Sequence, residues 1–332
     1  MIHIRTTAPE IAFYGLPRER VRLERANIDS GVVEQSPLRV DVPGTLVALR
    51  QLWERREEIV LQESTYVRQT DIRLIVADVP YLAGAVAKAA CRPCVAIGNF
   101  TWDWIYEPYL DGTTSRELGD SAANGYSDMD KFFRLPFGHP IRNVPCVVDV
   151  PLVARRCHRE PEEIRSHLGI SADARPVVLI GMRGALQEET LVRVADQNRD
   201  LMFLHLQAPT TQPKENLRGI DLGRSVSFSD LLRVSDAVVC KLGYGIVADT
   251  IANATRLLWP ARSGFREDEV LAPETPRYVP AREIPLADFA SGAWGDHLRE
   301  LLTASQPETT IAANGGDVIA GHLLDMLGVS HA

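Results

Sequence analysis

Two apolar patterns alternate along the chain. Short unbroken apolar runs mark buried strands, and longer stretches with apolar residues three and four apart mark helices. Asp41 and Pro43 open a helix that carries Leu46, Leu49, Trp53 and Val60 on one face. The run from Ile72 to Ala77 in "DIRLIVADVP" predicts a strand, followed by a helix over 80–91 and a strand from Cys94 to Ile97. A helical stretch through Phe133 comes next. Residues 135–151 hold four prolines without helical periodicity and read as a connector. The alternation then repeats. Strands are expected at Pro176–Ile180, Leu201–Leu206, Ala237–Cys240 and Arg256–Trp259, with helices between them and at 294–304 and 316–328. Strands alternating with helices imply parallel sheets, so the fold class is α/β with two doubly wound domains, 1–148 and 149–332.

Composition narrows the function classes. The length of 332 residues suits two domains, and an apolar share of 45% is enough to fill two cores. A net charge of −8 argues against a nucleic-acid groove. No apolar run approaches the roughly 18 residues of a membrane span, and Met1–Glu10 lacks the layout of a signal peptide, so a cytoplasmic location is expected. Five scattered cysteines suit reduced thiols; Cys91 and Cys94 lie between a helix and a strand, which favours a structural role.

Ligands of open parallel sheets bind beyond the carboxyl ends of the strands. In the second half those ends carry Gly181-Met182-Arg183-Gly184, Lys241-Leu242-Gly243-Tyr244-Gly245 and Arg262-Ser263-Gly264-Phe265. Each pairs glycine with a cation, and a following helix aims free N–H groups at the same place, which suits a phosphate or diphosphate. Gly243-x-Gly245-x-x-Ala248 also fits a loose dinucleotide pattern, and Arg262 could meet a 2′-phosphate, so an NADP-dependent oxidoreductase is a rival reading. Asp249, early in the helix, could stabilise the helix start or bind a sugar hydroxyl. In the first half, Asp78 and the loop Asn99-Phe100-Thr101-Trp102-Asp103-Trp104 follow the two strands. Aromatic faces there could stack on sugar rings while Asn and Asp bind hydroxyls; packing and helix capping explain the same residues equally well.

Two long stretches carry a family resemblance. "LIVADVPYLAGAVAKAACRPCVAIGNFTWDWIYE" and "FSDLLRVSDAVVCKLGYGIVADTIANATRLLW" with "GFREDEVL" resemble GT-B-like proteins related to the N-terminal, glycosyltransferase-like half of plant-type L-arabinokinases. More distantly they resemble N-acetylglucosaminyltransferases that act on lipid-linked substrates. The resemblance implies a GT-B fold, two tandem Rossmann-like domains with a cleft between them. It implies an acceptor side in 1–148, with Asn99, Trp102 and Asp103 at the cleft, and a nucleotide-sugar side in 149–332. There Gly243, Tyr244 and Gly245 would meet the diphosphate, Asp249 the donor hydroxyls, and Phe265–Glu269, with Glu267, the donor sugar. Gly181, Arg183, Phe228, Lys241 and Arg262 complete the expected donor set. Relatives begin with a strand and a Gly/His-rich loop, whereas "MIHIRTTAP" resembles their second strand, so a start upstream of Met1 is expected.

The reading is a glycosyltransferase using a nucleotide diphosphate-sugar, a UDP-sugar by expectation, with an acceptor hydroxyl. Asp103 and Asp78 are the candidate bases. No metal and no cofactor are expected, because no carboxylate cluster stands at a strand end. The other alternative is a non-catalytic sugar or nucleotide-sugar binding protein.

Overall fold

The computed structural model describes residues 1–329 apart from 14, 171–172, 207–213 and 224. The chain forms two compact units. Unit 1 holds Met1–Gln35, Val40–Val153 and Asn314–Ala332; unit 2 holds Ser36–Arg39 and Ala154–Ala313.

In unit 1, strands β1 (Ile2–Thr6) and β2 (Val21–Arg25) pair in parallel, Ile2 opposite Val21. Helix α1 (Val42–Glu54) starts where the Asp41–Pro43 signal puts it: Asp41 Oδ1 accepts from the Gly44 N–H at 2.9 Å, which satisfies a free donor of the first turn. Its Leu49 and Leu52 are buried. Helix α2 (Arg56–Gln69) follows, and Glu63 on it receives Nε and Nη2 of Arg5 at 2.9 and 2.6 Å, tying β1 to the helix. A four-stranded parallel sheet runs in the order β3 (Ile75–Asp78), β4 (Cys94–Gly98), β5 (Lys131–Arg134) and β6 (Val147–Asp149). Helices α3 (Leu82–Ala90), α4 (Trp102–Tyr106) and α5 (Gly112–Gly125) connect these strands.

Three expectations change here. The helix expected to carry Leu46, Leu49, Trp53 and Val60 on one face breaks at Arg55, so Val60 lies on α2. The helical stretch expected through Phe133 ends at Gly125, and Lys131–Arg134 is a strand. Adjacent Phe132 and Phe133 are both fully buried, which a strand in a covered sheet allows. Asp130 Oδ2 also accepts from the Cys94 N–H at 2.8 Å, seating β5 beside β4. The proline-rich connector contributes β6, paired with β5.

Unit 2 begins with α6 (Pro161–His167), and Gly169 follows at φ +65°, where a side chain would be strained. Its parallel sheet holds β7 (Val177–Ile180), β8 (Met202–His205), β9 (Leu217–Gly219), β10 (Ala237–Val239), β11 (Arg256–Pro260) and β12 (Ala281–Ile284). The spatial order is β9-β8-β7-β10-β11-β12, so strand order reverses between β7 and β10. Crevices at such reversals are where doubly wound sheets bind ligands. Helices α7 (Glu188–Gln197), α8 (Phe228–Val234), α9 (Tyr244–Asn253), α10 (Asp268–Glu274), α11 (Leu286–Ser291) and α12 (Gly295–Thr303) cover the sheet. The chain then returns to unit 1 with α13 (Gly315–Met326). Gly315 N–H donates to Leu152 O at 2.9 Å, and a Cβ there would lie 2.1 Å from Pro151 O, so only glycine fits. Among the described residues no helix is long and apolar enough to cross a membrane.

Candidate functional sites at the strand ends

In unit 1 the ends of β3 and β4 open onto an aromatic and carboxylate cluster. Beyond Asp78, Val79 is held at φ +60°, an uncommon conformation for a β-branched residue. Its carbonyl accepts from Tyr126 Oη at 2.7 Å, and the same Oη accepts from the Trp102 N–H at 3.0 Å. The absence of a side chain at Gly98 makes room for this turn: a Cβ there would meet Val79 Cγ1 at 2.4 Å. The Trp102 indole stacks on Tyr106, centroids 5.2 Å apart, and its Nε1–H donates to Asp29 Oδ2 at 2.7 Å. Asp29 Oδ1 accepts from the Ser30 N–H at 2.8 Å and, longer, from Gly31 N–H at 3.4 Å. Burial pushes the Asp29 carboxyl up to about 6, against its three hydrogen bonds, with the nearby Asp78 adding to the rise. Asp78, at the open strand end, is also raised, by the protein around its carboxyl. Tyr81, Tyr106 and Tyr126 are pushed upward by burial first and then by Asp29, so all three stay neutral across the ordinary pH range.

The rest of the predicted loop packs alongside. Asn99 is buried, and its main-chain carbonyl accepts from the main-chain N–H of His139 at 3.3 Å. The His139 ring stacks on Trp104 at 4.6 Å, and its Nε2 accepts from the Thr101 N–H at 3.2 Å. An N–H facing Nε2 places the ring proton on Nδ1. Asp103 is half-buried on α4. Asn99, Trp102, Asp103 and Asp78 are therefore brought to one end of one sheet. Asp29 joins them from a loop 73 positions away from Trp102. Its only sequence signal was a turn-like Asp-Ser-Gly.

In unit 2 the three glycine-and-cation loops follow β7, β10 and β11. Gly181 and Phe228 meet: a Cβ on Gly181 would lie 3.3 Å from Phe228 Cζ and from Cys240 Sγ. Arg183 is exposed. Gly243 caps α9 in extended backbone, and neither it nor Gly245 has an atom within 4 Å of a built Cβ, so the mouth of the loop is open. Glu267 Oε1 accepts from the Tyr244 N–H, the first of α9, at 3.3 Å. A carboxylate oxygen thus stands where the helix N-terminus offers its positive end.

Two predicted donor residues are engaged elsewhere. Arg262 is 4% exposed and gives Nε and Nη2 to the two Asp268 oxygens, each at 2.6 Å. It also donates to Leu242 O and lies 3.8 Å over the Phe265 ring. Its charge is matched within the protein, and it locks the third loop onto the second. Asp249 is 3% exposed and takes Arg155 N–H at 2.8 Å on Oδ1 and the Arg155 guanidinium at 2.7 and 3.0 Å on Oδ2. Burial raises its pKa and Arg155 opposes the rise. Sequence reading gave no signal for Arg155, 94 positions away. No group of three or more His, Cys, Asp or Glu among the described residues could hold a metal ion.

No family model matches the chain. It is 29% identical over 331 residues to the L-arabinokinase of Arabidopsis thaliana, covering 97% of this chain but only 31% of that relative, so it spans about a third of the relative's length. Among solved structures, glycosyltransferase VinC in complex with DTDP aligns with a TM-score of 0.55 at 15% identity, over 99% of this chain and 95% of that one. Arabidopsis thaliana UGT89C1 complexed with quercetin aligns with a TM-score of 0.60 at 12% identity, over 92% of this chain and 83% of that one. At such identities the structural likeness carries the fold, which is GT-B.

Proposed function

We propose that this GT-B, glycosyltransferase-like chain moves a sugar from a nucleotide diphosphate-sugar, a UDP-sugar, to an acceptor hydroxyl. Unit 2 holds the donor and unit 1 the acceptor. The observation that carries the reading is at the start of α9. An open loop at the strand-order reversal leads into a ten-residue helix whose first N–H already faces an anion, the Glu267 carboxylate. That carboxylate stands in for a phosphate oxygen of the donor. A helix N-terminus stabilises negative charge, and the charge on a departing diphosphate grows as the sugar bond breaks. The reading needs neither a divalent metal nor a cofactor. The unit 1 cluster supports the acceptor half: an aromatic face at Trp102 beside Asp29, Asp78 and Asp103 suits a polyhydroxylated or aromatic hydroxyl compound.

Thermal shift with UDP tests the donor half. At 100 times its Kd, UDP stabilises the native state by about 2.7 kcal/mol. Gly243→Val is expected to abolish the shift while leaving the ligand-free melting temperature unchanged, because the glycine is extended and faces open space. An unchanged UDP shift in a folded Gly243→Val protein removes α9 as the diphosphate site.

A further inference from the structure

Asp29 differs from Asp78 and Asp103, the other acids at this strand end, in how it is held. Asp78 has no hydrogen-bond donor among the described residues, and Asp103 is half-buried on α4. Asp29 is fixed from two sides, by the Trp102 indole on Oδ2 and by the Ser30 and Gly31 N–H groups on Oδ1. The indole is itself immobilised, stacked on Tyr106 at 5.2 Å and met edge-on by Phe100 at 5.0 Å. Tyr106 Oη closes the loop by bonding Ser30 Oγ at 3.0 Å and Gly31 O at 3.2 Å. A carboxylate offers about four lone-pair sites. These donors use three, and the one left is on Oδ2. We propose that Asp29 is the group that takes the proton from the hydroxyl receiving the sugar.

The inference rests on the sugar-transfer reading and names the base for it. The hydroxyl O–H bond breaks and its proton passes to Asp29 Oδ2. The oxygen electron pair forms the new bond to the anomeric carbon. The bond from that carbon to the diphosphate breaks, and its pair leaves with the nucleoside diphosphate. Asp29 then returns the proton to water. A base does this work best when its pKa lies just below the working pH, and Asp29 is pushed up to about 6 by burial, with Asp78 assisting. Tyr81, Tyr106 and Tyr126 also sense Asp29. All three are raised and do not titrate between pH 5 and pH 8. Asp29 is therefore ionised at neutral pH and protonated near pH 5, and the rate should fall as pH drops through about 6.

The test uses the full chain with water as the acceptor and a panel of UDP-hexoses and UDP-pentoses, following UDP release. The Trp102 indole N–H resonance, assigned with Trp102→Phe, reports Asp29 directly. We expect that resonance to titrate with a midpoint near pH 6 in the wild type and to lose the titration in Asp29→Asn. Asp29→Asn should slow UDP release at least 100-fold, the lower end for a general base, with UDP affinity in unit 2 unchanged. Asp29→Glu should recover part of the rate. An Asp29→Asn protein that melts normally and keeps the wild-type rate and acid limb overturns the proposal while transfer stands. An indole that shows no midpoint between pH 5 and pH 7 overturns it on structural grounds alone. A wild type that binds UDP but turns over no donor overturns both the proposal and the transfer reading, and it is told apart by its inactive parent.

Discussion

The raised carboxyl of Asp29 has a consequence for stability that can be measured without any ligand. A group whose folded pKa is raised binds its proton more tightly in the native state. For an acid this reverses the usual sign: the contribution is fully present below the unfolded pKa, and it is lost as pH climbs through the folded one. From 3.8 to about 6, at 1.36 kcal/mol per unit, Asp29 costs unit 1 about 3 kcal/mol at neutral pH relative to acid. About 2 kcal/mol of that falls between pH 4.5 and pH 7.5 by the same linkage. Asp29→Asn removes the titration. It also turns an amide N–H₂ toward either the Trp102 indole or the Ser30 N–H, a mismatch worth about 1–3 kcal/mol that does not depend on pH. The absolute stability of the variant is thus less telling than its pH slope. Urea titrations at pH 4.5 and 7.5, following the folded and unfolded indole resonances of Trp102, isolate unit 1. The stability difference, variant minus wild type, should move in favour of the variant by about 2 kcal/mol between the two pH values. Parallel behaviour, within about 0.5 kcal/mol, would show that Asp29 titrates at its ordinary value and that the hydrogen bonds outweigh burial.

Other outcomes follow from unit 2. On the proposed reading UDP binding should persist in a metal chelator, since a helix N-terminus meets an anion without a divalent ion; complete loss of the calorimetric signal with chelator would place a metal in the site. Glu267→Gln should tighten free UDP about two- to fivefold by titration calorimetry, from the 0.3–1 kcal/mol typical of a charge at a helix end. Weaker binding of free UDP would show that Glu267 supports the loop more than it competes with the phosphates.

The alternation of strands and helices was legible because it is a local property of apolar spacing. β3, β4, β7, β8, β10 and β11 all fall on the runs that predicted them. β9 and β12 escaped because their few residues carry Arg218, Arg282 and Glu283, which break an apolar run. The positions of Asn99, Trp102 and Gly243 at strand ends follow from the same periodicity. Partner choice did not. Asp29 with Trp102, and Asp249 with Arg155, lie 73 and 94 positions apart. Nothing in either neighbourhood marks one as the other's partner. The Asp-Ser-Gly of Asp29 reads as a turn and nothing more.

The same limit applies to the charge of the three glycine-rich loops of unit 2. From sequence, Arg183, Lys241 and Arg262 offer three cations to one anion. Once folded, Arg262 is paired in bidentate fashion with Asp268 and holds Leu242 O, so it contributes rigidity in place of charge. That pairing has a use of its own. It fixes the backbone of Leu242 next to Gly243, and the first N–H groups of α9 keep their direction without help from a ligand. A phosphate site made of pre-aimed N–H groups needs less reorganisation than one made of long cationic side chains, each of which loses rotamer freedom on binding. The rival role for Arg262, meeting a 2′-phosphate, would require breaking two 2.6 Å bonds from a side chain that is 4% exposed. Leaving Asp268 without its partner would add to that cost. The arrangement therefore favours a ligand whose charge is met by backbone and helix over one that calls Arg262 out of its pair.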